Sequence, residues 1–219
     1  INLSDKLSHY VSHFTKKEKA NLTFKELLAH QSGLQAWIPY WKNALDENGN
    51  FKKKTFKYSY SKKYPYQIVP NLFLYKKYQK KLVKEINESE LGEKKYRYSG
   101  LSFYRYPELI QKITKQDIDS FLKTEFYKPL GAFTLTYRPL DHFPLHKIIP
   151  TEYDSLFRKT QIHGTVHDEG AAMMNGVSGN AGLFSSANDL AKLVQMYLNG
   201  GTYGGKRFLK EETITKFTA

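Results

Sequence analysis

Apolar residues in this chain recur at helical spacing, in short runs bounded by caps and stops, and almost nowhere alternate as strands do. A chain patterned this way folds as a mostly helical body with few strands. Leu7, Val11 and Phe14 predict a short amphipathic helix over 4–14. Thr23 with Glu26 forms a capping box that starts the next helix, with Phe24, Leu27 and Leu28 on its face and Gly33 as its stop. Residues 71–90 predict a helix with Leu72, Leu74, Tyr75, Tyr78, Leu82 and Ile86 to one side. Residues 101–114 predict another, facing inward through Phe103, Tyr106, Leu109, Ile110 and Ile113, in which Pro107 marks a kink or the true first turn. Asp117 caps a helix running to Phe126. A second capping box, Ser186 with Asp189, starts a helix facing inward through Leu190, Leu193, Val194 and Tyr197 and stopped at Asn199-Gly200-Gly201. A final helix starts within 210–217. There is no internal repeat.

At 219 residues, 40% hydrophobic and 25% charged, the chain can bury a real core and is not compositionally disordered. No apolar run approaches the roughly 18 residues of a membrane-spanning helix. The polar, amphipathic stretch Ile1–Tyr10 predicts no signal peptide at this start. The absence of cysteine excludes disulfides, thiolate metal sites and a Cys nucleophile, and leaves the compartment open.

The net charge is +13, and it is concentrated. Phe51 to Lys95 holds 13 Lys, 4 Glu and no Arg, with nine aromatics interleaved, among them Tyr58, Tyr60, Tyr64, Tyr66, Tyr75 and Tyr78. Such a segment can stack single-stranded nucleic acid, line a sugar or peptide cleft, or form a lid with rings packed inward and ammonium heads in water. Without Arg or a nucleic-acid fold motif, specific nucleic-acid recognition is the weakest of the three. We read 42–95 as a Lys/Tyr-rich insertion or lid within one domain.

Local motifs carry little chemistry by themselves. His167-Asp168-Glu169 has metal-capable side chains, but three consecutive residues do not face one point, so no metal is expected. The glycine-rich 176–182 lacks the lysine of a phosphate loop. His30, near a helix end, fits a packing or capping role better than a catalytic base. Ser-x-x-Lys, the pattern by which an amine activates a hydroxyl one helical turn away, occurs at Ser59/Lys62 and Ser120/Lys123. With 14 Ser and 29 Lys in the chain, about two matches arise by chance, so neither is evidence.

Four blocks in order do carry a resemblance. FKELLAHQSGL (24–34), YRYSGLSFY (96–104), FYKPLGAFTLT (126–136) and VHDEGAAMMNGVSGNAGLFSSANDLAKLVQMYLNGG (166–201) resemble the serine β-lactamase and penicillin-binding-protein-like hydrolases, in their class C β-lactamase and esterase-like branch. The insertion and the fourth block most resemble the module that in some bacterial proteins is fused to a glycoside hydrolase family 3 domain. The resemblance implies an α+β, β-lactamase/transpeptidase-like fold. The 219 residues then look like an internal fragment: one partial domain, mostly the helical part, with most of the central antiparallel sheet missing.

Of the family's three catalytic motifs, the resemblance places only the second here. It implies Tyr98 as proton shuttle, Ser99 as its neighbour with little direct chemistry, and Gly100 at the substrate-binding position usually held by Asn or Asp. Glycine offers no side-chain amide, a departure that weakens β-lactam turnover more than ester or peptide hydrolysis. The implied protein is a bacterial serine hydrolase, periplasmic or extracellular, acting through an acyl-enzyme on a small peptide, amide or ester of cell-wall type. It uses no cofactor. The other reading is a degenerate module that binds glycan or peptide, or regulates an attached glycosidase. Asn180 stands where related sequences often have His and is assigned no role.

Overall fold

The computed structural model describes residues 1–12, 14 and 17–218. Its α-helices are α1 (Phe24–Leu28), α2 (Tyr78–Glu88), α3 (Tyr106–Thr114), α4 (Ile118–Leu122), α5 (Glu169–Met173), α6 (Ala187–Leu198) and α7 (Glu211–Thr218). Its strands are two to four residues long: β1 (Phe56–Lys57), β2 (Tyr66–Val69), β3 (Leu72–Leu74), β4 (Thr136–Tyr137), β5 (Tyr153–Asp154), β6 (Thr160–Gln161), β7 (Leu183–Phe184), β8 (Thr202–Tyr203) and β9 (Lys206–Arg207). They form one three-stranded antiparallel sheet, β1-β3-β2, and the two-stranded ribbons β4-β7, β5-β6 and β8-β9. Helices with a small partial sheet are what the resemblance implies, while the short strands among the described residues are more numerous than the patterning predicts.

One apolar core joins the N-terminal segment (Leu7, Val11, Phe14, Leu22), α1, α2, the three-stranded sheet and α5. Residues of the 42–95 segment, including Phe56, Ile68, Leu74, Leu82 and Ile86, are part of that core, and the lysines lie outside it. A smaller cluster of Tyr127, Leu130, Ala132, Leu135 and Met196 packs the middle of the chain against α6. The buried Lys19 reaches the C-terminal end of α2, where its ammonium donates to the carbonyls of Ile86 (2.9 Å), Asn87 (3.2 Å) and Ser89. It supplies the cation that the free carbonyls at a helix end favour.

Local signals hold where a side chain bonds its own backbone. Thr23 and Glu26 form the reciprocal capping box of α1, and the Asp117 carboxylate accepts from the Ser120 amide at the start of α4. That helix runs on through a π-turn over Lys123–Tyr127. Pro107 lies in the first turn of α3, after a 3-10 turn over Phe103–Arg105.

Several expectations are corrected. Within 4–14 only Leu7–His9 is helical, as a 3-10 turn, although Leu7, Val11 and Phe14 are buried as expected; His13 lies outside the described residues. The helix expected over 71–90 is β3 followed by α2. Pro70 and Asn71 (φ +66°) turn β2 back onto β3, and the alternately buried Leu72 and Leu74 belong to a strand. Over three residues, strand and helix spacing cannot be told apart. Ile113 is 46% exposed. On α6 the buried positions are Asp189 and Met196, while Leu190, Val194 and Tyr197 are 43–48% exposed.

The α6 box forms only by half. The Ser186 hydroxyl accepts from the Asp189 amide, but the Asp189 carboxylate turns to the Thr134 amide and hydroxyl (2.7 Å each) and to the Lys192 ammonium (2.8 Å). Burial pushes its pKa up; the Lys192 charge and the Thr134 donors outweigh that, and the net direction is down. A carboxyl lowered in the folded state stabilises fully above its unfolded pKa, about 4, and loses that contribution as pH falls through the folded value. Urea midpoints should therefore fall as pH drops below about 4, with a shallower fall in Asp189→Asn. Equal slopes would mean that this carboxylate contributes nothing to acid sensitivity.

Candidate active site

Helix α1 ends in a tight stop that also builds one wall of the site. The His30 amide donates to the Leu27 carbonyl (3.2 Å) and the Gln31 amide to the Glu26 carbonyl (2.8 Å), while His30 takes the left-handed conformation, φ +55°. This is the Schellman arrangement, with His30 in the place glycine usually fills. Gly33 is not the stop. Its φ is +76°, and a Cβ there would lie only 2.4 Å from the Gly92 carbonyl oxygen, so glycine lets the segment after α2 run close beside it. That segment is then pinned by Gly92 N–H to the Gly33 carbonyl (2.8 Å) and Arg97 N–H to the His30 carbonyl (2.9 Å).

Tyr98, Ser99 and Gly100 follow directly. Tyr98 is 63% exposed, with its ring centroid 4.7 Å from that of His30. The same imidazole stacks on Phe103 at 5.8 Å, and its Nδ1 accepts from the Ser99 amide at 3.3 Å. In a neutral imidazole that bond leaves the proton on Nε2. Ser99 is buried, and its hydroxyl donates to the Gln35 carbonyl (2.6 Å) and accepts from the Leu101 amide (3.3 Å). It is a positioning group that fixes the backbone on which Tyr98 stands. Gly100 has no left-handed φ, and a Cβ there would meet only the Asn180 Cβ at 3.8 Å, an ordinary contact. A larger residue fits the space.

Beneath this segment lies a polar cluster that the sequence reading missed. The buried Tyr104 hydroxyl donates to Asp168 Oδ1 (3.3 Å) and accepts from Asn180 Nδ2 (3.2 Å). Asn180 Nδ2 also donates to Asp168 (3.3 Å), and Ser178 Oγ donates to Asn180 Oδ1 (2.6 Å). Asp168 in turn caps α5 by accepting from the Ala171 amide (2.6 Å). Burial, then the Asp168 charge, push the Tyr104 pKa far up, so the phenol keeps its proton and stays a donor. Asn180 thus has a role, joining the glycine-rich loop to Tyr104 and Asp168. The readable signal was Gly170, where a Cβ would lie 2.0 Å from the Tyr104 hydroxyl.

The loop over 176–182 packs by backbone against the segment that follows Gly100. A Cβ on Gly179 would lie 2.3 Å from the Phe103 carbonyl oxygen, a group with little freedom to retreat. Gly179→Ala should therefore cost about 1–3 kcal/mol as an overpacking change, read as a lower urea midpoint. An unchanged midpoint would show that the loop is not held against Phe103.

The remaining candidates go elsewhere. His167 Nδ1 lies 3.2 Å from an exposed Glu152 carboxylate, while Asp168 points into the Tyr104 cluster. Ser120 donates to its own cap, Asp117 (2.7 Å), and Lys123 pairs with Asp119 (2.9 Å) and meets His142 (3.0 Å). Ser59 sits in an exposed bend. A cavity of about 200 Å³ between the three-stranded sheet and Arg138, Asp141 and Thr165 includes none of Tyr98–Gly100. No helix among the described residues is long and apolar enough to cross a membrane.

Three comparisons bear on this arrangement. A protein from Salmonella agona (strain SL483) named "Putative D-alanyl-D-alanine carboxypeptidase" is 31% identical over 236 residues, covering 100% of this chain and 50% of the relative. The chain thus spans about half the length of the curated relatives it matches. Among solved structures, the octameric penicillin-binding protein homologue from Pyrococcus abyssi superposes with a TM-score of 0.61 at 16% identity, over 99% of this chain and 42% of that one. The penicillin binding protein from Bacillus halodurans gives 0.61 at 11% identity, over 100% and 57%. D-amino acid amidase from Ochrobactrum anthropi SV3 gives 0.55 at 14%, over 98% and 52%. These likenesses show the β-lactamase/transpeptidase-like fold. The family described as Beta-lactamase matches residues 1–218, and the chain belongs to that family.

Proposed function

We propose that the 219 residues are the helical half of a serine hydrolase that cleaves a peptide, amide or ester through an acyl-enzyme. The observation that carries this reading is Tyr98: a phenol held out toward solvent on a backbone locked by Ser99 and braced by His30, within the second catalytic segment of the family. Neither Ser-x-x-Lys string of the chain is arranged as a nucleophile: Ser120 bonds its own cap, Asp117, with Lys123 held by Asp119, and Ser59 lies in an exposed bend outside any helix, so the nucleophile of this proposal stands on a segment beyond these residues. Its hydroxyl oxygen attacks the substrate carbonyl. Tyr98, acting as the phenolate, takes the hydroxyl proton to become the phenol and delivers that proton to the departing amine or alcohol; water then repeats the exchange to free the acid and restore the serine and the phenolate.

The names of the relatives support a substrate ending in a D-amino acid, as a peptide or an amide. A substrate of cell-wall type places the protein in the periplasm or outside the cell. The 219 residues then form one partial domain, with 42–95 as an insertion in it. Gly100 favours a second reading, in which a module without a side-chain amide donor binds peptide or glycan without turnover or regulates a fused glycosidase.

The test is intact-mass spectrometry of the whole gene product after incubation with a fluorophosphonate or a penicillin. One covalent adduct is expected. Absence of any adduct, with peptide binding retained, would establish the second reading. The 219 residues alone should hydrolyse neither nitrocefin nor p-nitrophenyl acetate above buffer.

A further inference from the structure

Between Phe51 and Lys84 the chain carries eleven lysines and no Asp, Glu or Arg. All eleven are exposed. Three basic segments are drawn together by the backbone. The Tyr75 amide donates to the Thr55 carbonyl (2.8 Å), tying Lys76 and Lys77 to the turn bearing Lys52, Lys53 and Lys54; the Lys76 amide donates to the Lys63 carbonyl (3.0 Å), adding the turn of Lys62 and Lys63. Of these eleven, only Lys81 and Lys84 have carboxylate partners among the described residues, Glu85 and Glu88 at 3.8 and 3.9 Å on α2 itself. Gathering like charges without counter-charge works against the fold, and a bound polyanion relieves it.

Two rings stand out of this basic face. Tyr58 is 75% and Tyr60 66% exposed, and each is backed by a second ring, Phe51 and Phe73, at centroid distances of 6.1 Å. They are supported platforms rather than loose side chains. Flat aromatic faces beside ammonium groups suit a chain that alternates sugar rings with single negative charges. Lysine meets such charges as a point cation on a flexible stem, with no demand for bidentate geometry. Nucleic-acid recognition has less behind it: the face has no arginine, and its strands are too short to form a stacking groove.

We infer that the face formed by 51–84 docks a carboxylate-bearing glycan, at a site separate from Tyr98. The test measures binding of the intact protein to fluorescent polygalacturonate, poly-L-glutamate and oligo-dT at 50 and 200 mM salt. Polygalacturonate should bind tightest, weakening about tenfold or more between the two salts. Lys62→Gln, Lys63→Gln, Lys76→Gln and Lys77→Gln combined should lower its affinity about tenfold or more. Tyr58→Ser with Tyr60→Ser should weaken polygalacturonate binding and leave poly-L-glutamate unchanged. All six positions are exposed, and circular dichroism checks that the variants fold. Equal or tighter binding of oligo-dT or poly-L-glutamate, no binding of polygalacturonate at 50 mM salt, or an unchanged affinity in the folded lysine variant would overturn the inference. Covalent labelling by a fluorophosphonate is indifferent to these substitutions, so the result stands apart from the outcome at Tyr98.

Discussion

In the whole gene product, Tyr98→Phe should lower turnover of a peptide or ester substrate by about 10²–10⁴-fold, the usual contribution of a positioned proton-transfer group. Thermal stability should hardly change. The phenol hydroxyl has no hydrogen-bond partner among the described residues, and the contact with His30 at 4.7 Å is made by the ring, which phenylalanine keeps. An exposed substitution that removes no buried group usually stays within about 0.5 kcal/mol. Turnover rates beside a melting curve separate the two roles of the side chain. A rate within tenfold of the parent would leave Tyr98 as a packing partner of His30 and remove the proton shuttle from the proposal.

The parts of this structure that were legible in the sequence are those governed by residues within a turn of each other. Thr23 and Glu26, and Asp117 with the Ser120 amide, announce their helices because each pair needs only local chain to form. His30 reads as a helix-end residue for the same reason. The apolar stripe of α6 was legible as a stripe, but which face is covered depends on what lies against it, and there the buried residues are Asp189 and Met196. Strands of two to four residues are too short to show a period.

The candidate site divides in the same way. Tyr98–Gly100 was found through the order of four sequence blocks. The cluster beneath it, which joins Tyr104 to an asparagine 76 residues away, leaves no local pattern. Asp168 looked like part of a metal-capable triplet because the side chains are adjacent in sequence; in space His167 and Asp168 diverge. Gly179 and Gly170 were the available clues to the cluster, since each marks a place where backbone or hydroxyl comes closer than a Cβ permits.

Arg158→Met should destabilise the fold by about 3–5 kcal/mol, the cost of stranding the partner of a buried ion pair. The Arg158 side chain is 1% exposed and the Asp154 side chain 6%. The guanidinium donates through Nε to Asp154 Oδ2 (2.6 Å), through Nη1 to the Val166 carbonyl (2.9 Å) and through Nη2 to the His167 carbonyl (2.6 Å). Methionine fills part of the volume and makes none of these bonds. Burial pushes the Asp154 pKa up, but Arg158 and the Phe157 and Arg158 amides hold it below the ordinary carboxylate value. Without the guanidinium that carboxylate keeps its burial and loses its counter-charge. The released carbonyls belong to the two residues immediately before Asp168, so the damage reaches the cap of α5 and the Tyr104 cluster under Tyr98. At roughly 2–4 °C per kcal/mol for a chain of this size, the melting temperature should drop by about 6–20 °C. The double variant Arg158→Met, Asp154→Leu removes the stranded charge together with its partner and should recover part of that loss. A single variant melting within about 2 °C of the parent would mean that the ion pair and its two carbonyl contacts do not hold the 154–168 segment in place.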